Sequence, residues 1–147
     1  MKFRLIIDKE KDEEIVATVK EENSLTQRIE ALVMEYNGTD KILAFGEDDV
    51  IFLSFDEIEC ITVCDAKTYA VTHNGEQLRL RRRLYELENI VPSSFIKINK
   101  STLANKVFIK KFVTTFSGGV DAVFQSGKKE YVSRRCFAEI KRRFISK

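Results

Sequence analysis

Two short basic segments carry the side chains best suited to contact a polyanion. The first, FIKINKSTLANKVFIKKF at residues 95–112, interleaves lysines and asparagines with large apolar residues. Lys97, Asn99 and Lys100 stand near its start, and such side chains hold phosphates or read purine edges in nucleic acids. The pattern predicts a backbone that is anchored by its apolar residues and presents its polar residues to a polyanion.

The second basic segment is VSRR, residues 132–135, which we expect at the start of a C-terminal helix. Ser133 suits the N-cap position, so Arg134 and Arg135 would lie in the first helical turn. Cations at this end oppose the helix dipole and cost a few tenths of a kcal/mol. An arginine pair in an unfavourable position therefore indicates an anionic partner.

The charges of the chain are segregated along the sequence, although the net charge is only +2. Residues 96–147 contain 13 Lys/Arg and 3 Asp/Glu, whereas residues 1–95 contain 12 and 20. Solubility alone does not require the two signs to be separated. The polarity therefore favours a polyanion-binding face, with nucleic acid as the most frequent partner of such faces.

Enzymatic and metal chemistry find little support in the residue types. His73 is the only histidine, and it stands beside the Asn74-Gly75 pair, which is typical of a surface hairpin turn. The chain has no GxGxxG, phosphate loop or HExxH motif. The three carboxylates of residues 47–49 fall between two predicted strands, where such groups are usually solvated. We expect no catalytic site, cofactor, metal or small-molecule substrate.

The cysteines and the hydropathy indicate a single cytoplasmic domain. Cys60, Cys64 and Cys136 are odd in number and lack metal-site spacing, which favours reduced thiols. No apolar run approaches the roughly 20 residues of a membrane span, and no signal peptide opens the chain. A length of 147 residues, 44% of them hydrophobic, is enough for a real core.

Hydrophobic periodicity predicts a mainly β protein that positions these segments. Residues 1–38 are predicted as a β-β-α extension, with strands at 2–8 and 13–20 and a helix that begins at a Ser24/Gln27 capping box and stops at Asn37-Gly38. Short helices are predicted at residues 84–91 and 133–146. Further strands are predicted at residues 41–46, 49–55, 57–65, 67–73, 76–83, 109–116 and 120–125.

Three segments, in this order, resemble the LytTR DNA-binding domain family. They are DEIECITVCDAKTYAVTHNGEQLRL (56–80), RLYELENIVPSSFIKINKSTLANKVFI (83–109) and GGVDAVFQSGKKEYVSRR (118–135). The resemblance extends over about residues 40–147. It implies that residues 39–147 form an elongated stack of small antiparallel β-sheets with short helices. It also implies sequence-specific transcription regulation, through loops that enter successive major grooves of double-stranded DNA and bend it.

The resemblance also implies which residues contact bases or phosphates. One loop matches Ala66, Lys67 and Thr68. A second matches Asn99 and Lys100 before Ser101, together with the nearby Lys97. A third matches Arg134 and Arg135, of which Arg135 is expected to read a guanine. Many members have His at the position of Asn99 and His or Asn at that of Thr68, so the bases read there are expected to differ.

The extension at residues 1–38 is too short for the receiver domain of about 120 residues that many members carry. The chain therefore resembles a standalone regulator, and such members are often controlled by a partner membrane protein. The extension could dock on the DNA-binding domain, dimerise or receive that partner. We expect a homodimer on direct repeats. The alternative is a basic module that binds RNA or an acidic protein without reading bases.

Overall fold

The computed structural model describes residues 1–36 and 40–144. Within these ranges the chain forms ten strands, three α-helices and two short 3₁₀ turns at Phe55–Glu57 and Lys106–Phe108. The helices are α1 (Ser24–Tyr36), α2 (Leu84–Ile90) and α3 (Arg134–Phe144). The strands are β1 (Lys41–Phe45), β2 (Val50–Ser54), β3 (Ile58–Cys64), β4 (Lys67–Thr72), β5 (Gln77–Leu80), β6 (Phe95–Asn99), β7 (Thr102–Asn105), β8 (Ile109–Thr114), β9 (Val120–Phe124) and β10 (Lys129–Val132).

The strands form two antiparallel sheets. Among the described residues the larger sheet has the order β2-β1-β5-β4-β3-β7-β6, and the smaller has the order β10-β9-β8. The hairpin of β1 and β2 joins the rest of the large sheet through a single pair, Phe45 with Arg79. These elements confirm the mainly β prediction and every strand predicted after residue 38.

Each face of the large sheet carries its own hydrophobic core, because successive strand residues point to opposite faces. Leu84 and Leu87 of α2 cover one face, where they meet Phe95. The small sheet and α3 cover the other face, where Ile98 meets Ile140. Alternate apolar residues of β6 are therefore buried on both sides, which explains why this lysine-rich segment contains so many of them.

Two buried polar side chains have hydrogen-bond partners distant in sequence. Glu59 of β3 is 1% exposed, and its carboxylate accepts a hydrogen bond of 2.6 Å from the Ser126 hydroxyl in the β9–β10 turn. The Asn105 side chain at the end of β7 donates 3.0 Å to the Ile58 carbonyl of the neighbouring strand β3. Buried polar groups need such partners, so the first contact joins the two sheets and the second holds two strands of the large sheet together.

The two strands predicted at residues 2–8 and 13–20 are wrong, because residues 1–23 contain no strand. The turn between them does form, since the Lys11 N–H donates 3.5 Å to the Asp8 carbonyl. All of residues 1–23 are exposed. A hairpin alone is marginal in water, so an alternating pattern without a packing partner does not make paired strands.

The predicted α1 helix is confirmed, but its predicted cap is wrong. Asn23 and Thr26 form the cap, in which the Thr26 N–H donates 3.1 Å to the Asn23 side chain and the Asn23 N–H donates 3.0 Å to the Thr26 hydroxyl. Gln27 instead accepts 2.8 Å from the Asn89 side chain, which fastens α1 to α2. The predicted stop at Asn37-Gly38 lies outside the described residues.

Candidate nucleic-acid interface

Two hairpin turns lie side by side at one end of the large sheet. The β3–β4 turn is tight, because Asp65 and Ala66 both have positive φ angles, 51° and 62°. The β6–β7 turn lies next to it, because β3 pairs with β7 and the Val63 N–H donates 2.9 Å to the Ser101 carbonyl. Residues far apart in sequence thus form one continuous protruding edge.

The start of α3 joins the same edge through β6. The Ser133 N–H donates 2.8 Å to the Ile98 carbonyl, and the Asn99 side chain donates 2.6 Å to the Tyr131 carbonyl. The fold therefore brings together all three segments that carry the predicted contacts. We call them the three-loop edge: residues 65–68, 99–101 and 133–135.

Four cations of the three-loop edge are free to meet an anion. Lys67, Lys100, Arg134 and Arg135 are exposed, and none of them forms an ion pair with any residue that the structure describes. Acidic groups are few there, because Asp65 is the one Asp or Glu among the residues of the edge. The edge is therefore a local concentration of positive charge, with four cations and one carboxylate.

The start of α3 is capped as predicted. The Ser133 hydroxyl accepts 3.1 Å from the Cys136 N–H, and the Ser133 carbonyl accepts 2.8 Å from the Phe137 N–H. Arg134 and Arg135 therefore extend from the first turn, where the helix dipole disfavours cations. A bound anion would offset both the dipole and the mutual repulsion of the pair.

Asn99 is largely committed to holding the loops together. Its amide nitrogen donates to the Tyr131 carbonyl, and its amide oxygen accepts 2.8 Å from the Ser101 N–H. An amide has two N–H donors and two oxygen lone pairs. One donor and one lone pair therefore remain available for a ligand.

Two other predicted residues point away from the protruding tips. Thr68 is only 7% exposed. The Lys97 ammonium lies 3.1 Å from the Glu88 carboxylate of α2. Ser101 is half-buried and is held through its backbone. The structure therefore separates exposed cations at the tips from residues that support them.

Strand β10 adds two residues to this region that the motif search missed. Lys129 and Tyr131 lie on the exposed side of β10, and Tyr131 is 55% exposed. Tyr131 adjoins the β6–β7 turn through its contact with Asn99. The signal available in the sequence was their spacing of two residues, which places both on one face of a strand.

Other kinds of site find no counterpart in this geometry. No group of three His, Cys, Asp or Glu side chains within the described residues is placed to hold a metal ion. The three thiols are unpaired, and burial raises the pKa of the Cys60 thiol to about 12. None of the helices in the described ranges is long and apolar enough to cross a membrane.

Comparison with known proteins agrees with this arrangement. Residues 48–145 match the family model described as the LytTr DNA-binding domain. An uncharacterized HTH-type transcriptional regulator of Staphylococcus aureus strain MSSA476 is 28% identical over 144 residues, which cover 97% of both chains. A second such regulator, from strain NCTC 8325 / PS 47, is 26% identical and covers 81% of this chain and 82% of its own.

A solved structure shares the fold. The LytTr DNA-binding domain of a Bacillus cereus response regulator superposes with a TM-score of 0.65 at 20% sequence identity, over 70% of this chain and 94% of that one. Within the described residues, strands lie between consecutive helices along the chain, so no two helices follow each other directly as they do in a helix-turn-helix. Since the family model spans more than half of the sequence, the chain belongs to the LytTR family of DNA-binding domains.

Proposed function

We propose that this protein is a transcription regulator that binds a specific sequence of double-stranded DNA through the three-loop edge. The convergence of Lys67, Lys100, Arg134 and Arg135 on one edge carries the proposal. Two regulators of similar sequence and length support it. Phosphate contacts by lysines would orient the domain, and base contacts would select the site.

Each side chain receives a role from its surroundings. Lys67, Lys100 and Arg134 contact phosphates. Arg135 forms the bidentate pair with guanine, which discriminates by about 1–3 kcal/mol. Asn99 chiefly holds the loops in position and offers its remaining donor and lone pair to an adenine edge.

Thr68, Lys97 and Ser101 support the contacting residues in this scheme. Thr68 is buried at the second position of β4, and Ser101 connects the two turns through its backbone. Lys97 reaches a phosphate only when its ion pair with Glu88 opens, so it contributes less than Lys100.

Loops rather than a helix enter the DNA in this proposal. The three segments enter successive major grooves on one side of the duplex, which bends toward the protein. Two copies bind direct repeats in the same orientation. A partner membrane protein is the proposed source of control.

A second candidate function is binding of RNA or an acidic protein without base readout. The occupied amide of Asn99 favours it, because fewer groups at the edge remain for reading bases. The two candidates differ in one measurable property. A sequence-specific regulator prefers one duplex over random duplexes of the same length, and a general polyanion binder does not.

Selection of bound sites from a random DNA pool tests the proposal. The selected duplex should bind about 10³-fold or more tightly than a scrambled duplex at equal salt. Arg135→Ala should remove most of this preference. Lys41→Ala is the matched control, since Lys41 is an exposed cation on β1 and lies outside the residues of the three-loop edge. Equal binding of selected, scrambled and RNA duplexes would support the second candidate instead.

A further inference from the structure

A groove lies far from the three-loop edge, between α1 and the hairpin of β1 and β2. Its volume is about 660 Å³. Leu43 and Phe52, which are cross-strand partners, form part of its wall and are 46% and 73% exposed. Arg81 and Arg82 stand at its side, and the Arg81 guanidinium lies 4.0 Å from the centre of the Phe45 ring. The groove wall is thus partly apolar, and its charged residues carry both signs: Lys41, Arg81 and Arg82, and Glu22, Glu30, Glu35, Asp40 and Glu86.

The chain also has a segment without packing partners, residues 1–21, which we call the arm. Phe3, Leu5 and Ile7 alternate along it and are 90%, 73% and 84% exposed. Five carboxylates follow within residues 8–14. The arm therefore offers apolar side chains in an extended chain, which suit the apolar part of the groove wall.

An open strand edge lies beside the groove. Strand β2 ends the large sheet, and no other strand in the described residues pairs with its outer side. Val50 and Phe52 on this strand are 56% and 73% exposed. Open edges accept an additional extended strand, and the alternating residues of the arm suit that role.

The arm is large enough to form a stable contact. Eight large apolar side chains of residues 1–19 are exposed: Met1, Phe3, Leu5, Ile6, Ile7, Ile15, Val16 and Val19. Burying such a side chain removes roughly 60–120 Å² from water, given about 1.5–3 kcal/mol per side chain at about 25 cal/mol per Å². Eight such side chains bury roughly 500–1,000 Å² of the arm. With an equal area on the groove side, the total buried surface reaches roughly 1,000–2,000 Å², the size of a standard specific interface.

The arm does not line the groove of its own chain. Glu22 lines the groove, but none of residues 1–21 does. The reciprocal hydrogen bonds between Asn23 and Thr26 hold the chain where it enters the helix. Reaching its own groove would require the arm to turn back on this side of the cap, whereas a second copy meets the arm as it stands.

We propose that the arm of one copy occupies the groove of a second copy, in a head-to-tail contact. Donor and acceptor surfaces differ, so the contact is heterologous and repeats in one orientation. This inference rests on the proposed function in one respect, because direct repeats require neighbouring copies in the same orientation. It assigns the arm to cooperation between copies and the three-loop edge to DNA.

Two full-length variants test the contact without DNA. The arm variant carries Leu5→Thr and Ile7→Thr, and the groove variant carries Leu43→Thr and Phe52→Thr. All four side chains are at least 46% exposed, so both variants should fold. Val107→Thr is the control, because Val107 is 63% exposed and lies outside the groove.

Sedimentation at increasing concentration is the measurement. The wild type and the control should form an open series of assemblies, and each variant alone should stay monomeric. An equimolar mixture should stop at a dimer, since it combines one intact arm with one intact groove. A monomeric mixture, or a single variant that assembles like the wild type, would overturn the proposal.

Binding to duplexes with one or two selected sites separates this inference from the proposed function. Both variants should keep single-site affinity and lose a cooperativity of about 5–150-fold on two sites, and their mixture should regain it. Loss of specific single-site binding by the wild type contradicts the proposed function alone. Unchanged cooperativity in both variants contradicts the arm-to-groove contact alone.

Discussion

The dependence of DNA affinity on salt follows from the cations counted at the three-loop edge. Five exposed cations without ion pairs among the described residues lie there or on the adjoining β10: Lys67, Lys100, Lys129, Arg134 and Arg135. Each phosphate contact contributes about −0.9 to the slope of log affinity against log salt. With Arg135 on a base, Lys129 joins Lys67, Lys100 and Arg134 as a phosphate contact, and four contacts give a slope of about −3.6. A phosphate contact by Arg135 as well would give about −4.5.

The slope converts directly into an affinity loss. Raising salt from about 50 to about 200 mM should weaken binding to a single selected site by about 150–500-fold. Lys100→Ala should make the slope shallower by about 0.9. Lys97→Ala should change it much less, because the Lys97 ammonium already has the Glu88 carboxylate 3.1 Å away.

Fluorescence anisotropy with a labelled duplex measures these slopes. Lys97→Ala is the matched control, as it removes a lysine from the same strand region. A slope near zero for the wild type would refute the polyanion interface. An equal change in slope for Lys97→Ala and Lys100→Ala would refute the division between tip and supporting residues.

Three further predictions use other measurements. Phe95→Ala should destabilise the fold by about 3–5 kcal/mol in urea unfolding, because Phe95 is 8% exposed and its ring lies 5.9 Å from that of Phe55. Arg135→Ala should leave the thermal midpoint unchanged. A stable Phe95→Ala variant beside an Arg135→Ala variant with a lowered midpoint would mean that Arg135 is structural. Five base pairs inserted between two direct repeats should abolish cooperative binding, and ten should restore it, because about 10–10.5 base pairs make one turn of the duplex. Equal occupancy at both spacings would contradict the binding of two copies to the same face of the duplex. At pH 8, iodoacetamide should modify Cys64 quickly and Cys60 only after unfolding. The reason is that burial raises the pKa of the Cys60 thiol to about 12, so the thiol stays protonated until the pH approaches that value. Modification of Cys60 in the native protein at the rate of Cys64 would show that the core around Cys60 opens.

Local patterns predicted seven of the ten strands and both of the helices that the structure describes after residue 38. The strand periods, the Asn74-Gly75 hairpin with Gly75 at a φ of 88° and the Ser133 cap were all readable in advance. The reason is that turns and caps depend on a few neighbouring residues. In the extension the same reasoning failed, because pairing of strands there requires a surface to pack against.

The roles of individual polar residues depended on contacts distant in sequence. Lys97 and Lys100 are indistinguishable as lysines in one motif, yet only Lys97 meets Glu88 of α2. Asn99 could be assigned to base reading or to structure until its bonds to Tyr131 and Ser101 were seen. No spacing rule anticipates which of several side chains faces a neighbouring element.

The sequence by itself determined the family, the mainly β architecture and the basic character of the segments that we propose contact DNA. These follow from composition, periodicity and motifs that lie close together along the chain. Only the tertiary structure decided that residues 65–68, 99–101 and 133–135 form one edge, and that the arm and the groove of one chain do not meet. Such juxtapositions arise from strand order and from burial on two faces of a sheet, which depend on the whole fold at once.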